Sequence, residues 1–388
     1  MSKIEQKIPE GWSVKKLGEI SQVITGSTPQ TLDVTNYGKE FLFVSPADIN
    51  DNVKYITDTT TKLSSKGFSL CRIIKKGSPM FVCIGSTIGK TALAGIDLAT
   101  NQQINSCIVK NCINNEFLYY NLSFQSNKIR LLAGEQAVPI INKSTFEKIK
   151  LSIPPLAEQE KIAEILGTWD EAIEKLSSLI EQKKFLKKGL MQKLFLDLKN
   201  VSFKRFDEVF TDYSDKNHSD YPLLSATQDL GVIPRTMLDG RVMSPEGSLA
   251  GYKLVQKGDF VISLRSFQGG LEYSSYYGII SPAYTVLKPK MNISRQFYKY
   301  FFKSYEFVNK YLSIAVIGIR DGKQISYPDL KSVKIPYPNL FNQQAIADVL
   351  TKADEEIDLL NKKLILFKEQ KKGLMQQLLT GQIRVKVN

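Results

Sequence analysis

Two stretches of the chain repeat apolar residues at alternating steps of four and three positions. The first runs from Ile162 to Leu194 and the second from Ile346 to Leu378. A period near 3.5 residues is typical of a coiled-coil seam. Each stretch predicts a helix of ~38 residues and ~57 Å, longer than a typical core helix. Two long amphipathic helices in one chain most simply pack on each other.

Lysines interrupt the apolar seam of both predicted helices. Lys183 and Lys187 weaken the distal half of the first helix, and Lys371 breaks the stripe of the second. Prolines do not interrupt either pattern. Pro154 and Pro155 come just before the first helix, where they cannot break it, and a similar pair precedes the second.

The two helical stretches are copies of one another, 184 residues apart. The segment Gln159–Leu166 recurs as Gln343–Leu350, and Lys187–Gln192 recurs without change as Lys371–Gln376. Such self-similarity predicts that the chain alternates a large block and a long helix, twice. The predicted boundaries are residues 1–155 for the first block, 156–200 for the central helix, 201–338 for the second block and 339–388 for the distal helix.

Both large blocks have a mixed pattern that predicts an α/β (mixed α+β) fold. Short β-rich runs include Phe41–Val44, Pro79–Ile84 and Asp259–Leu264. Each block also holds one predicted helix, near Glu116–Leu132 and near Arg295–Leu312. Loops that contain glycine and serine separate the strands.

The net charge of the chain indicates what class of partner it binds. The chain has a formal net charge of +13, of which +6 lies in residues 1–157 and +5 in residues 201–342, whereas residues 158–200 are neutral. Lysine and arginine gain affinity for phosphates by releasing condensed counterions. We therefore expect the two blocks to bind a polyanion.

The sequence motifs that could form a catalytic site are incomplete. His218, the one histidine, is predicted to be a solvated loop residue, which makes a Ser-His-Asp hydrolase improbable. Residues 85–91 resemble a phosphate-binding loop, but three residues separate the glycines where that motif needs four. The four cysteines fit no zinc pattern and are predicted to be buried free thiols. We find no dinucleotide-binding motif and no tetrapeptide of the adenine methyltransferase type.

We expect the protein to be cytoplasmic. No run approaches ~18 consecutive apolar residues, so we expect no membrane span. The N-terminal residues lack the apolar core of a signal peptide.

Polar loops in the two blocks are the candidate DNA contacts. Arginine, asparagine, glutamine, serine and threonine hydrogen-bond to base edges, while lysine positions the phosphate backbone. The candidates in the first block are Ser27, Thr28, Gln30, Thr87, Lys90, Asn101, Gln102 and Gln103. Those in the second block are Thr227, Gln228, Arg235, Arg265, Gln268, Arg320 and Lys323.

Four apolar residues near the end of the first helix lie off its seam. They are Phe185, Leu186, Leu196 and Leu198. Two helices alone leave such residues exposed, and exposed apolar patches usually mark interfaces. We therefore predict that they bind a partner protein.

Several motifs together resemble one known family. The segment Ile153–Ala163 resembles the start of the central conserved helix of type I restriction-modification specificity subunits, and Lys371–Gly381 resembles the end of their distal helix. In the first block, Leu17–Ile20 and Thr25–Pro29 are similar to parts of a target-recognition domain of that family. The second copy departs from the pattern, because Pro336–Gln343 lacks the Ala-Glu pair and carries insertions.

The resemblance implies a non-catalytic subunit. Two target-recognition domains would lie at opposite ends of an antiparallel coiled coil, related by a pseudo-twofold axis, and each would read one half of an asymmetric, interrupted site in double-stranded DNA. The helices would dock two methyltransferase subunits, through which motor-nuclease subunits join. S-adenosylmethionine, ATP and magnesium would belong to those partners, with no cofactor or metal in this chain.

Two alternatives stay open from the sequence. One is a coiled-coil scaffold with two protein-binding lobes, which sequence-selective retention of DNA would exclude. The other is a diverged lone nuclease or methyltransferase, which methyl transfer by the purified chain would support.

Overall fold

The computed structural model describes residues 8–50, 53–134, 137–198, 201–238, 249–315 and 325–387. Two compact units make up the chain. The first unit contains residues 1–177 and 362–388, and the second contains residues 178–361. These units differ from the boundaries predicted above, because each long helix is divided near its middle. Arg320 and Lys323 of the predicted contact set lie outside the described residues.

The described residues of the first block form two main sheets, a two-stranded sheet and four α-helices that precede the first long helix. The larger sheet has strand order β2-β10-β7-β8-β4, the smaller has order β5-β3-β9-β6, and β1 pairs with β11. The elements are β1 (Ser13–Lys16), α1 (Leu17–Ile20), β2 (Ser21–Thr25), β3 (Tyr37–Val44), β4 (Tyr55–Ile56), β5 (Thr61–Leu63), α2 (Ser65–Ser69), β6 (Ile73–Ile74), β7 (Pro79–Val82), β8 (Thr91–Ala94), β9 (Leu98–Thr100), β10 (Ile104–Val109), α3 (Asn115–Arg130), α4 (Lys143–Glu147), β11 (Lys150–Ile153) and the long helix α5 (Leu156–Leu196).

The second block repeats the central part of this plan. Its main sheet has the order β13-β20-β17-β18, which matches β2-β10-β7-β8, and β12 pairs with β21 as β1 pairs with β11. The elements are β12 (Ser202–Arg205), α6 (Phe206–Val209), β13 (Phe210–Tyr213), β14 (Leu224–Thr227), β15 (Gly231–Pro234), β16 (Lys253–Val255), β17 (Phe260–Ile262), α7 (Ser266–Gly269), β18 (Glu272–Tyr273), β19 (Gly278–Ile280), β20 (Thr285–Pro289), α8 (Arg295–Phe301), α9 (Leu312–Ala315), α10 (Tyr327–Leu330), β21 (Lys334–Tyr337) and the long helix α11 (Leu340–Leu379).

The predicted strands and the first predicted helix are confirmed, but the helix predicted near 295–312 is broken. Helix α8 ends at Phe301, and a π-helical turn follows only at Phe307–Tyr311. Between them the Ser304 hydroxyl donates to the carbonyl oxygen of Phe301 at 2.7 Å and accepts from the amide of Phe307 at 3.1 Å. A serine that bonds to nearby backbone groups offers an alternative to the helical ladder.

The environments of two of the four cysteines and of the histidine differ from prediction. Cys83 and Cys107 are buried, and burial raises the pKa of each thiol to about 12. Cys112 is exposed and Cys71 half-buried, so the prediction of four buried thiols is wrong for these two. His218 is also not fully solvated, because its Nε2 lies 2.8 Å from Oδ1 of Asp215.

The long helices pair along the predicted seam in each unit. In the first unit Ile162 and Leu166 share a core with Leu378, which lies near the far end of α11, so the two segments run antiparallel. In the second unit Phe195 shares a core with Leu350 in the same antiparallel sense. Within the described ranges, no helix is both long enough and apolar enough to cross a membrane.

The seam lysines are explained by acidic partners on the opposite helix. Lys371 binds the carboxylate of Asp170, and Lys187 binds that of Asp354. A tyrosine hydroxyl from the adjoining block donates to each of these carboxylates, from Tyr120 in the first unit and from Tyr300 in the second. We call these two equivalent groups the Tyr-Asp-Lys clusters. Lys183 pairs similarly with Glu356 of α11, at 2.6 Å.

A buried glutamine at the start of each long helix holds the helix of the adjoining block. Oε1 of Gln159 accepts from the amide of Asn114, the N-cap of α3, and its Nε2 donates to the carbonyl of Pro154. Gln343 does the same with Ser294, the N-cap of α8. The repeated glutamine therefore fixes where the block meets the helix.

The two helix starts differ at the next position. Glu158 is buried, and its carboxylate accepts from Nε1 of Trp12 at 3.1 Å and from Nε of Arg384 at 2.7 Å. The equivalent residue in the second copy is Asn342, whose amide donates to the side chain of Asn339 at 2.8 Å. Because the second copy lacks the Ala-Glu pair, α11 begins with a side-chain cap by Asn339 where α5 has the ion pair of Glu158 with Arg384.

Replacing Asp170 with alanine will reveal how much the first Tyr-Asp-Lys cluster stabilises its unit. The variant leaves the largely buried Lys371 ammonium without its carboxylate, so we expect the free energy of unfolding to fall by about 2 kcal/mol. The neighbouring Glu171→Ala is the control, because its pair with Lys175 is mostly exposed and contributes under about 1 kcal/mol. Urea denaturation measures both. Equal losses would show that the cluster has no special role.

Candidate nucleic-acid interface

Three predicted segments of the first block meet at one end of its sheets. The amide of Ser27 donates to the carbonyl of Thr100 at 2.9 Å, and the Thr28 hydroxyl donates to Oε1 of Gln102. The third segment, the loop of residues 83–90, joins the other two at its first residue. There the amide of Cys83 donates to the carbonyl of Gln103 at 2.8 Å. These segments, distant in sequence, therefore form one continuous surface.

Within this surface the predicted residues divide into two kinds. Thr28, Gln30 and Gln102 are exposed and able to reach a ligand. The others are half-buried: Asn101 donates to Oε1 of Gln103, and Nζ of Lys90 donates to the carbonyl of Pro46 at 3.1 Å. The half-buried set, which also includes Ser27 and Thr87, shapes the loops more than it offers free side chains.

Arg72 is a residue of this surface that sequence reasoning missed. Its Nη1 donates to the carbonyl of Thr25 at 2.6 Å, and its amide donates to Oγ of Ser27 at 3.4 Å. The arginine therefore anchors the segment that carries Thr28. No local motif marks it, because its contacts span more than forty residues of chain.

In the second block two of the predicted segments converge. Thr227, Gln228 and Arg265 line one cavity of about 470 Å³, and Gln228 and Gln268 line a neighbouring groove of about 780 Å³. Arg265 and Gln268 are exposed at the rim of these spaces. The Thr227 hydroxyl donates to the carbonyl of Gly231 at 2.9 Å and so closes the turn between β14 and β15.

Arg235 does not join this group. It follows Pro234, which pairs with Leu224 at the end of the β14-β15 hairpin opposite the turn that contains Gln228. A strand of four residues separates the two ends by ~13 Å. The structure thus brings together four of the five described candidates of the second block.

Equivalent loops carry different side chains in the two blocks. The loop of residues 83–90 joins β7 to β8, and the loop of residues 263–271 joins the matching strands β17 and β18. The first contains Ser86-Thr87-Ile88-Gly89, whereas the second contains Ser266-Phe267-Gln268-Gly269. Because the first loop joins two antiparallel strands and not a strand to a helix, the exclusion of a phosphate-binding nucleotide loop holds.

The described parts of the chain contain no group of three or more histidine, cysteine, aspartate or glutamate residues arranged to hold a metal ion. Some ionisable residues of the first block contact its own loops. Lys66, for example, donates to Asp33 at 2.8 Å and, with Thr35, lowers the pKa of that carboxyl to about 2.

Three of the four predicted partner-binding residues lie on the second half of α5, and Leu198 follows its end. Phe185, Leu186 and Leu196 are 77%, 62% and 45% exposed. The expected exposure is wrong for Leu198, which is half-buried against the core of the second unit. Leu359 of α11, which was not predicted, is 66% exposed.

Comparison with known proteins identifies relatives along nearly the whole chain. A family model described as type I restriction modification DNA specificity domain matches residues 9–182 and 211–368. The MjaVIII specificity subunit of a type I restriction enzyme from Methanocaldococcus jannaschii is 26% identical over 411 residues, covering 98% of this chain and 95% of that protein.

Solved structures share the fold. The crystal structure of a type I restriction-modification S subunit from M. genitalium has a TM-score of 0.56 at 18% identity, covering 97% of this chain and 98% of that one. A chain from a study of complex assembly and conformational transition of a type I R-M system has a TM-score of 0.60 at 16% identity, with coverage of 97% and 100%.

Replacing Gly26 with alanine will test the junction of the first-block loops. A Cβ atom at Gly26 would lie 2.1 Å from the carbonyl oxygen of Asn101 and 2.3 Å from that of Thr100. Both obstacles are backbone atoms, so we expect the free energy of unfolding to fall by about 3 kcal/mol. Gly134→Ala is the control, because no atom lies within 4 Å of its Cβ position. If both variants unfold at the wild-type urea concentration, the loops do not meet as described.

Proposed function

This chain belongs to the type I restriction-modification DNA specificity domain family, and we propose that it chooses the DNA sequence on which its restriction-modification complex acts. One observation carries the proposal: two blocks with the same central strand order present different side chains on equivalent loops. A frame that is repeated while its loops vary suits a protein that reads two different sequences.

Each block would read one half of an interrupted site in double-stranded DNA. Thr28, Gln30 and Gln102 in the first block, and Arg265 and Gln268 in the second, are exposed and carry groups that hydrogen-bond to base edges. Because these sets differ, the two half-sites would differ in sequence. The excess positive charge of both blocks would supply affinity for phosphates that does not depend on sequence.

The long helices would bind the other subunits of the complex. Phe185, Leu186 and Leu196 present apolar surface that a soluble chain normally covers. We infer that two methyltransferase subunits bind along the helices and that motor-nuclease subunits join through them. S-adenosylmethionine, ATP and magnesium would be held by those partners, so this chain would direct the chemistry without performing it.

Family membership favours this function over the alternatives left open by the sequence. A scaffold with two protein-binding lobes would have no need of basic blocks whose polar loops converge. A lone nuclease or methyltransferase would need a site for a metal or cofactor, and the family is one of DNA specificity domains.

Exchanging one block will test the proposal. The chain is co-expressed with its methyltransferase partner, and the methylated motif of the host DNA is read by sequencing. We expect an asymmetric, interrupted motif. Replacing residues 201–338 with the corresponding block of a relative will change one half of that motif and leave the other half as it was.

The reciprocal exchange of residues 1–155 is the matched control, and it will change only the other half. If either exchange alters both halves, the blocks do not read DNA independently. If co-expression gives no sequence-specific methylation although the complex assembles, the proposed function is wrong.

A further inference from the structure

Beneath the candidate contact loops of the second block lies an ion pair between a buried glutamate and a half-buried lysine. Glu272 is on strand β18, and its side chain is 1% exposed. Its partner, Lys303, follows helix α8, and their Nζ and Oε1 atoms are 2.6 Å apart. Burial raises the pKa of Glu272 to about 7, and the neighbouring ammonium of Lys303 opposes that rise.

The ammonium of Lys303 bonds to three segments at once. Besides Glu272 it donates to the carbonyl of Gly269 at 2.9 Å and to the carbonyl of Gln228 at 3.1 Å. A lysine ammonium has three protons to donate, so these acceptors satisfy it completely. One belongs to a strand, one to the loop that carries Arg265 and Gln268, and one to the turn that carries Thr227 and Gln228.

Close packing fixes the same loop from the other side. Gly270 has φ of +78°, and a Cβ atom there would lie 1.7 Å from the carbonyl oxygen of Phe302, the residue before Lys303. The backbone of the loop therefore packs directly against the end of α8, next to Lys303. Its position depends on both the backbone contact and the ammonium.

In the described part of the first block, an apolar residue takes the place of Glu272. In the paired strands, Glu272 lies opposite Val261 as Ala92 lies opposite Met80. Ala92 is buried and apolar. The ion pair is thus an addition to the shared frame, in the block whose loop carries Arg265 and Gln268.

We propose that Lys303, held by Glu272, is a positioning residue that sets the two DNA-reading segments of the second block in one arrangement. This inference rests on the proposed function. Lys303 touches no base in this proposal. It determines specificity by holding Gln228 and Gln268 at a fixed separation, since a base contact depends on the position of its donor and acceptor.

A double substitution separates positioning from stability. Removing one member of a buried ion pair leaves the other charge without a partner and destabilises the fold. Replacing both members with apolar residues of similar size is often neutral for stability. Glu272→Leu combined with Lys303→Met therefore leaves a folded block whose two loop carbonyls have lost their donor. Lys310→Met, an exposed lysine of the same block, is the control for the loss of one positive charge.

The assembled complex is bound to two duplex libraries, each randomised in one half-site, and the bound DNA is sequenced. We expect the double variant to unfold at about the wild-type urea concentration. Its preference at the second-block half-site will fall by about tenfold, with the first half-site unchanged. Lys303→Arg, which keeps the charge, will retain part of that preference, and Lys310→Met all of it.

Three results would overturn the inference. A folded double variant with wild-type preference at both half-sites would show that the pair is only structural. A uniform loss of binding to all sequences would show that Lys303 contacts phosphate directly. A wild-type complex that selects no sequence in either library would instead refute the proposed function, and this inference with it.

Discussion

The attachment of each block to the paired helices depends on one repeated electrostatic arrangement. A lysine lies in the apolar seam of one helix, an aspartate of the other helix binds it, and a tyrosine of the adjoining block donates to the same carboxylate. A charge in a seam is costly unless it is paired and hydrogen-bonded. The arrangement therefore requires both helices and the block to be in register, and the described residues of each unit contain one such arrangement.

The long elements could be predicted from sequence because they depend on local periodicity. The seam from Ile162 to Leu194 and the repeat from Gln159 onward led directly to helices of 41 and 40 residues. The lysines within the seam could not be understood in the same way. Their partners lie about 170 to 200 residues away in the chain, and only the fold brings Asp170 to Lys371.

The candidate interface was predictable in composition but not in arrangement. Polar loops identified Thr28 and Gln268, yet nothing local showed that Arg235 would lie at the far end of its hairpin or that Lys303 would join three segments. Similarly, the exposure of Leu198 was misjudged because the helix period does not show where the second unit packs against it. Errors of this kind arise where tertiary contacts decide a residue's environment.

Some contacts between a block and its helix are the same in both copies, and others occur in one copy only. Gln159 and Gln343 make the same contacts because each must fix a block to a helix. Within the described ranges, the pair of Glu158 with Arg384 occurs only in the first copy, and that of Glu272 with Lys303 only in the second. The shared contacts hold each block on the helices, whereas the contacts that differ belong to one block only.

We propose that the length of the helix pair sets the unread gap between the two half-sites. The most direct test of this proposal is a variant with four residues inserted after Ile180 and four after Leu364, which nearly preserves the helical phase. Each helix becomes ~6 Å longer. We expect the methylated motif to keep both half-sites while its unread gap grows by about one or two base pairs. An unchanged gap in a folded, active variant would contradict it.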